Sequence, residues 1–568
     1  MKTLRRSRFL ALTRHFVARF FDNDAVSRQG EMQTSVVQLL GLLAVPGFFL
    51  CFYMMKHYPP TARHPFDSWQ ATSDRYLFVS YSMMVMGFVT VFEWDSLFPD
   101  RRDYLILSAL PIRVFSLFCS KVLALCFFLG LFAFDLNCFS TVLLPVVSMG
   151  HAGSSSNLHQ MMLAHATSAV AGGLFVAFFF AGLQGILINV LTSKAFRWVS
   201  PLVQMVSMGL LVLVLILYPL ISALIQTLVE QNSPYLFYFP CFWFLGLYES
   251  LRPGVVHPVF HPLAMVAVRS LALASAVCLV AYVAGYRRHA RRALESIELQ
   301  LAGPGRLRVK LTGLLHNSLL RHPLQRATFH FIGQTLARSS RHRLFLAAYG
   351  GFAMAFAILI VFAVANVGGV PKIQVSPIGV LAVPLILSFC LLTGLRAAFS
   401  FPAELTPNWA FQVTDASFSD EHLKACRRWV ALSGILPLFV LLAPLEFAMW
   451  RWNLALFHLS FGVILSWLLV EVLFFHFHKI PFACSYCPGK MNAAVLAALY
   501  LYGLTTYSFS MTDLEVWILH RPVRVALFFL LSAALLLAFR THRIWRPDAV
   551  GLTFEDEPDP VVRTLGIG

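Results

Sequence analysis

What most constrains this chain is a series of apolar stretches, each of roughly 17–30 residues, that recurs along the whole sequence. They fall near residues 35–55, 77–93, 116–147, 166–192, 200–228 and 262–286, and again near 343–366, 376–397, 428–448, 455–477, 491–509 and 523–540. A helix rises about 1.5 Å per residue, so each stretch is long enough to cross a hydrocarbon core of about 30 Å. The count predicts twelve spans, six on each side of a central linker, in an all-α polytopic membrane protein. Charge agrees: 12% of the residues are charged, against about 25% in a soluble globular protein.

The formal net charge is +17, and its placement predicts orientation. Lys2, Arg5, Arg6, Arg8, Arg14, Arg19 and Arg28 precede the first span. Arg101, Arg102, Arg113 and Lys121 follow the second, and the linker from Arg287 to Arg343 is the most basic part of the chain. The alternate loops are poor in such residues: Gly150–Ala164 has no Lys or Arg, and Val367–Val375 has only Lys372. Both termini are thus expected in the cytoplasm. The excess of positive charge points to anionic lipid and not to nucleic acid. The ten cysteines are scattered, several within apolar runs, as buried free thiols would be. The basic N-terminal stretch does not read as a signal peptide.

The expected organisation is a cytoplasmic amphipathic helix (1–34), a first six-span half (35–286), a basic linker with a second amphipathic helix (287–342), a second six-span half (343–540) and a cytoplasmic tail (541–568). In the first amphipathic stretch Phe9, Leu12, Phe16 and Phe20 recur at helical spacing, with Arg5, Arg8 and Arg19 largely elsewhere. Between spans five and six, Tyr235–Leu251 is aromatic and too interrupted to cross. It reads as a re-entrant or interfacial segment, or as an ordinary aromatic belt.

A charged loop follows the second span of each half. The first, Phe92–Arg113, carries clear helix punctuation: Asp100 as N-cap, Asp103 at the third position and Pro111 as stop. That gives a helix of about ten residues, roughly 15 Å long. Tyr104, Leu107 and Pro111 share one side, and Arg101, Arg102 and Asp103 crowd its first turn. The second copy, Phe399–Asp415, is weaker; its Phe401-Pro402 pair answers Phe98-Pro99, but it lacks the RRD cluster and contains Pro407.

The stretch LFPDRRDYLILSALPIRVFSLFCSKVL resembles the loop after the second span of bacterial ABC-2-type exporter permeases, in its charged helix, its Leu110-Pro111-Ile112 step and its Lys121. FPAELTPNWAFQVT, SRHRL and KIPFACSYCPGK are similar to a large twelve-span subfamily of the same permeases. The resemblance implies two fused six-span halves that rock about a central path. It also implies amphipathic connecting helices, and a re-entrant segment before each sixth span. Two coupling helices would fit a cytoplasmic ABC ATPase dimer, which would carry ATP and Mg while this chain binds no cofactor. On this comparison the coupling residues are Phe98, Pro99, Asp100, Arg101, Arg102, Asp103, Leu110 and Pro111 in the first loop, and Phe401, Pro402, Glu404 and Trp409 in the second. The location implied is the bacterial plasma membrane.

The chain has no GxxxxGK[ST] loop; Pro488-Gly489-Lys490-Met491 lacks the hydroxyl residue and the upstream glycine. Leu432-Ser433-Gly434-Ile435 is only a fragment of an ABC signature. Energy is therefore expected from a separate subunit or an ion gradient. His476, His478, Cys484 and Cys487 have metal-like spacing, but the histidines lie two apart at a helix end and diverge, so a tight turn is favoured over zinc. Asp135 and Glu446 each lie about 18 residues into the third span of their half. They read either as an acidic pair on the translocation path or as residues at the outer interface. Glu471 has no evident partner in the sequence. The expected function is an exporter permease moving a hydrophobic or amphipathic substrate. The alternatives are a gradient-driven secondary transporter, which needs more buried ionisable residues, and a membrane-embedded lipid-modifying enzyme.

Overall fold

The computed structural model describes residues 2–21, 32–55, 58, 68–97, 114–149, 157–254, 256–295, 313, 315–367, 370–400, 419–475, 477, 479–482 and 493–545. By contacts the chain divides into two compact units, Met1–Ala302 with Val367–Pro371, and Gly303–Asn366 with Lys372–Gly568.

The first unit contains α1 (Lys2–Phe21), α2 (Met32–Met54), α3 (Ser68–Phe92), α4 (Val114–Met149), α5 (Leu158–Val190), α6 (Ser193–Ile216), α7 (Tyr218–Glu230), α8 (Pro240–Leu251) and α9 (Phe260–Glu295). The second contains α10 (Pro323–Arg338) and α11 (Ser340–Val361), then most of strands β1 (Phe362–Val367) and β2 (Val370–Val375), of which Val367, Val370 and Pro371 are assigned to the first unit. It continues with α12 (Pro377–Ala398), α13 (Ser419–Val430), α14 (Leu436–Met449), α15 (Trp452–Leu473), α16 (Ala493–Leu519) and α17 (Pro522–Trp545). Among the described residues ten helical segments are long and apolar enough to cross a membrane: α3, α4, α5, α6, α9, α11, α12, α13 continuing into α14, α15 and α17. The chain is a helical, polytopic membrane protein.

Within the first unit α3 is the central helix, with 72% of its apolar window buried, whereas α9 is a peripheral helix at 11%. Close approach between α5 and α9 depends on small side chains: a Cβ on Gly185 would stand 2.9 Å from Cβ of Ala281. In the second unit α12 is central and α17 peripheral. A π turn, Ala431–Ile435, joins α13 to α14, with the Leu436 N–H reaching back to the Ala431 carbonyl. It comes immediately before Pro437, which has no N–H to continue the ladder.

Two features differ from the sequence expectation. Strand β1 takes the end of the apolar run expected near 343–366, and it pairs with β2, which lies in the expected loop Val367–Val375. The available signal was the Gly368-Gly369 dipeptide, favoured in hairpins, between short valine-containing runs (Val364, Val367, Val370, Val375). The fifth apolar run divides into α6 and the 13-residue α7, and the aromatic segment Tyr235–Leu251, expected as re-entrant or interfacial, forms a 3-10 turn (Pro234–Phe237) and the 12-residue helix α8. In the second unit it has no counterpart among the described residues, because α16 runs 27 residues to Leu519 and α17 begins at Pro522.

Each unit carries an amphipathic helix packed on the start of a long one. Phe16 and Phe20 of α1 are buried against α4. The Lys121 ammonium of α4, itself buried, lies 5.1 Å from the Phe16 ring centre and 4.2 Å from that of Phe20. In the second unit Gln325, Thr328, Ile332 and Leu336 form the buried face of α10. Thr328 Oγ1 lies 2.7 Å from His422 Nδ1 on α13, and Arg428 of α13 donates to Gln325 and to the Leu319 carbonyl. A cation on aromatic faces in a desolvated site is worth roughly 0.5–2 kcal/mol. Lys121→Met, which keeps the apolar stem, is expected to lower stability in detergent by about that amount, read as an earlier thermal unfolding transition.

Candidate functional site

The coupling residues Phe98, Pro99, Asp100, Arg101, Arg102, Asp103, Leu110, Pro111, Phe401, Pro402, Glu404 and Trp409 lie outside the described residues. The structure does describe the chain leading into each loop. Ahead of the first, Trp94 and Leu97 are buried. Gln184 of α5 donates to the Trp94 carbonyl, and the Tyr282 hydroxyl of α9 donates to the Leu97 carbonyl at 2.7 Å. Ahead of the second, Phe399 is buried among Trp429, Phe474, Phe477 and Phe482, and its carbonyl accepts from the Phe482 N–H at 3.1 Å. Arg396 stacks over Phe477 at 4.4 Å and donates to the Leu473 carbonyl. Both loops therefore spring from residues fixed to several helices of their own unit.

The metal-like constellation His476, His478, Cys484 and Cys487 also falls outside the described residues. Among the described residues no group of three His, Cys, Asp or Glu side chains is arranged to hold a metal ion. The eight cysteines in the described segments are free thiols.

Asp135 and Glu446 have unlike surroundings. Asp135 is half-buried on α4, and its Oδ2 has no hydrogen-bond partner. Glu446, near the end of α14, is buried and belongs to a cluster. The His458 ring of α15 stands between it and Glu515 of α16. His458 Nδ1 is 2.7 Å from Glu515 Oε1, and His458 Nε2 is 3.6 Å from Glu446 Oε1. One further oxygen of each carboxylate is buried without a partner. Glu471 gains the partner that the sequence did not reveal: its carboxylate lies 3.9 Å from Arg427 on α13.

The first unit holds a second polar network, built around the short helix α8. Arg75 on α3 donates to Glu249 Oε1 at 2.6 Å, and Arg252 donates to Glu249 Oε2. Arg75 and Glu249 are both buried. Beside them Gln70 donates to Asp74 at 3.2 Å, and Ser73 of α3 donates to Ser222 of α7 at 2.6 Å. These bonds tie α7 and α8 to the beginning of α3. A cavity of about 460 Å³ adjoins the network, lined by apolar side chains such as Leu50, Met54, Leu77 and Leu215 together with Asp74 and Tyr218. It is an apolar, half-open space with one carboxylate at its wall.

Burial alone would raise the Glu249 carboxyl above its ordinary value of 4.5, but Arg75 and then Arg252 outweigh it and hold it below that value. The depressed group contributes stability that is full above about pH 4.5 and is lost as pH falls through the folded-state value. Stability attributable to Glu249 is thus expected to stay flat from neutral to mildly acidic pH and to fall only in stronger acid. Thermal unfolding of wild type and Glu249→Gln across that range checks this, since the variant should lose the acid limb.

His458, Glu515, Arg75 and Glu249 did not stand out in the sequence. The available signal was the rarity of ionisable residues near apolar runs, where each is expensive and needs a partner. Comparison with family models, with curated proteins and with solved structures gave no match.

Proposed function

We propose that this chain is the transmembrane permease of an ATP-driven exporter, with α2 and α16 completing twelve spans in two six-helix halves. Both termini face the cytoplasm of a bacterial plasma membrane, and a separate cytoplasmic ABC ATPase dimer carries ATP and Mg. The observation that carries this reading is the anchoring of both charged loops. Leu97 and Phe399, in the opening residues of the two loops, are held by carbonyl hydrogen bonds and aromatic packing to segments distant in sequence. Force applied to such a loop reaches several spans at once, because packed helices move as rigid bodies. The charges of Asp100–Asp103 transmit motion in this scheme and perform no chemistry. The cavity beside Asp74 supports an amphipathic substrate.

Asp100→Ala combined with Arg101→Ala is expected to abolish ATPase binding while membrane insertion is retained. Blue-native electrophoresis and nucleotide hydrolysis read this. Unchanged complex assembly together with unchanged substrate-stimulated hydrolysis contradicts the proposal.

A gradient-driven secondary transporter is the second reading, and one observation favours it. Glu446, His458 and Glu515 supply buried ionisable groups of the kind such carriers use. Transport into proteoliposomes driven by a pH gradient without nucleotide would decide for it.

A further inference from the structure

We propose that Glu446, His458 and Glu515 form a proton-binding site within the second unit, whose occupancy governs how α14, α15 and α16 are held together. The proposal does not depend on which energy source drives transport.

The geometry places one imidazole between two carboxylates contributed by three different helices. The side chains are nearly sealed, with 4% of His458, 8% of Glu446 and none of Glu515 exposed. Glu446 lies three residues from the end of α14, His458 six from the start of α15, and Glu515 four from the end of α16. At 1.5 Å per residue the cluster sits about 5–9 Å below one end of the bundle, within reach of protons from one aqueous face.

Charge decides what the cluster binds. With a neutral imidazole and two ionised carboxylates it carries two negative charges in an interior where unbalanced charge is costly. Protonating the imidazole leaves one negative charge. A further proton on Glu446 makes the cluster neutral, as a carboxylic acid, an imidazolium and a carboxylate in a row. Among the described residues none beside the cluster supplies the missing positive charge. Arg451, Asp513, His520 and Arg521, on or beside the same helices, are exposed. Arg524 of α17 is turned to the Trp517 carbonyl at 2.8 Å and its ring, and Arg396 of α12 serves Leu473 and Ser400. Tyr507 lies two turns before Glu515 on α16.

The hydrogen bonds leave room for this proton. Nε2 of His458, Oε2 of Glu446 and Oε2 of Glu515 are all buried without a hydrogen-bond partner. The 3.6 Å gap between His458 and Glu446 exceeds a hydrogen bond, while the 2.7 Å contact with Glu515 is one. Glu446 is thus the oxygen pair free to gain and lose a proton, while Glu515 holds the ring. Losing the proton leaves Glu446 charged opposite His458 and the cluster with one net negative charge, which alters how α14 is held against its neighbours. Thr512 and Ser508 continue the Glu515 face down α16, and the Ser508 hydroxyl is buried and unpartnered.

The test uses the full-length protein in lipid nanodiscs without nucleotide. Infrared difference spectra between acid and alkaline buffers should show the carbonyl band of a protonated carboxyl in wild type, lost in Glu446→Gln. Dicyclohexylcarbodiimide, which attacks protonated carboxyls in apolar surroundings, should modify Glu446 of wild type roughly tenfold more at about pH 6 than at about pH 9, read by mass spectrometry. The labelling arm needs no variant and decides the matter if Glu446→Gln fails to fold. Absent or pH-independent labelling overturns the proposal. So does a band that survives in Glu446→Gln, or sodium ions raising thermal stability at fixed pH with labelling unchanged by pH.

Discussion

Glu249→Ala is expected to destabilise the first unit by about 3–5 kcal/mol, the largest effect of any single truncation considered for this chain. The substitution leaves the guanidinium of Arg75 buried and stripped of its partner at 2.6 Å, and removes one acceptor of Arg252. The cost is mainly that of an uncompensated charge, not the worth of the pair. The double substitution Arg75→Met with Glu249→Leu should therefore recover most of the loss, since well-packed apolar replacements of a buried pair are often neutral or better. Thermal unfolding in detergent, followed by size-exclusion recovery, distinguishes the cases. Equal losses in the single and double variants would show that α8 is held by polar geometry and not merely by charge balance.

Gly246→Val should cost about 3 kcal/mol and release α8 from α9. A Cβ at this position would stand 2.5 Å from the Leu263 Cβ, 2.9 Å from the Phe260 carbonyl oxygen and 3.1 Å from the Ala264 nitrogen. Two of those atoms belong to the backbone of α9, so no rotamer change relieves the clash. The glycine is required by close approach, which is how a 12-residue helix too short to span becomes part of the bundle. Cys241, on the buried face of α8, offers the readout. Its modification by a membrane-permeant maleimide should rise steeply in the variant, and protection equal to wild type would contradict this packing.

Much of the fold was legible because a membrane core imposes a single length on each span. The apolar runs near 376–397 and 116–147 became α12 (Pro377–Ala398) and α4 (Val114–Met149), shifted by no more than two residues at either end. Of the four apolar residues at helical spacing in the N-terminal helix, Phe16 and Phe20 are buried, on α4 and beside Lys121, while Phe9 and Leu12 are half-buried. The site was harder to read, because the polar residues that matter lie where apolar runs fade. Arg75 falls two residues before the second run, yet it sits a full two turns inside α3. Glu515 falls six residues past the eleventh run, yet α16 continues to Leu519. A hydropathy boundary marks where charge begins, and in a bundle those charges are still within the helix and still buried. The similarity between Asp135 and Glu446 was positional only. Glu446 meets a histidine from the next helix and a carboxylate from α16, whereas Asp135 has no such cluster.

The most direct test of the proposed function is to isolate the full-length protein from native membranes in a mild detergent. The sample would be assayed for a bound nucleotide-hydrolysing ATPase, in parallel with the Asp100→Ala, Arg101→Ala variant. The predicted result is an ABC ATPase present at two copies per chain, with hydrolysis that is lost, together with the ATPase itself, in the variant. A protein that purifies without an ATPase and moves substrate into proteoliposomes on a pH gradient alone would contradict the account.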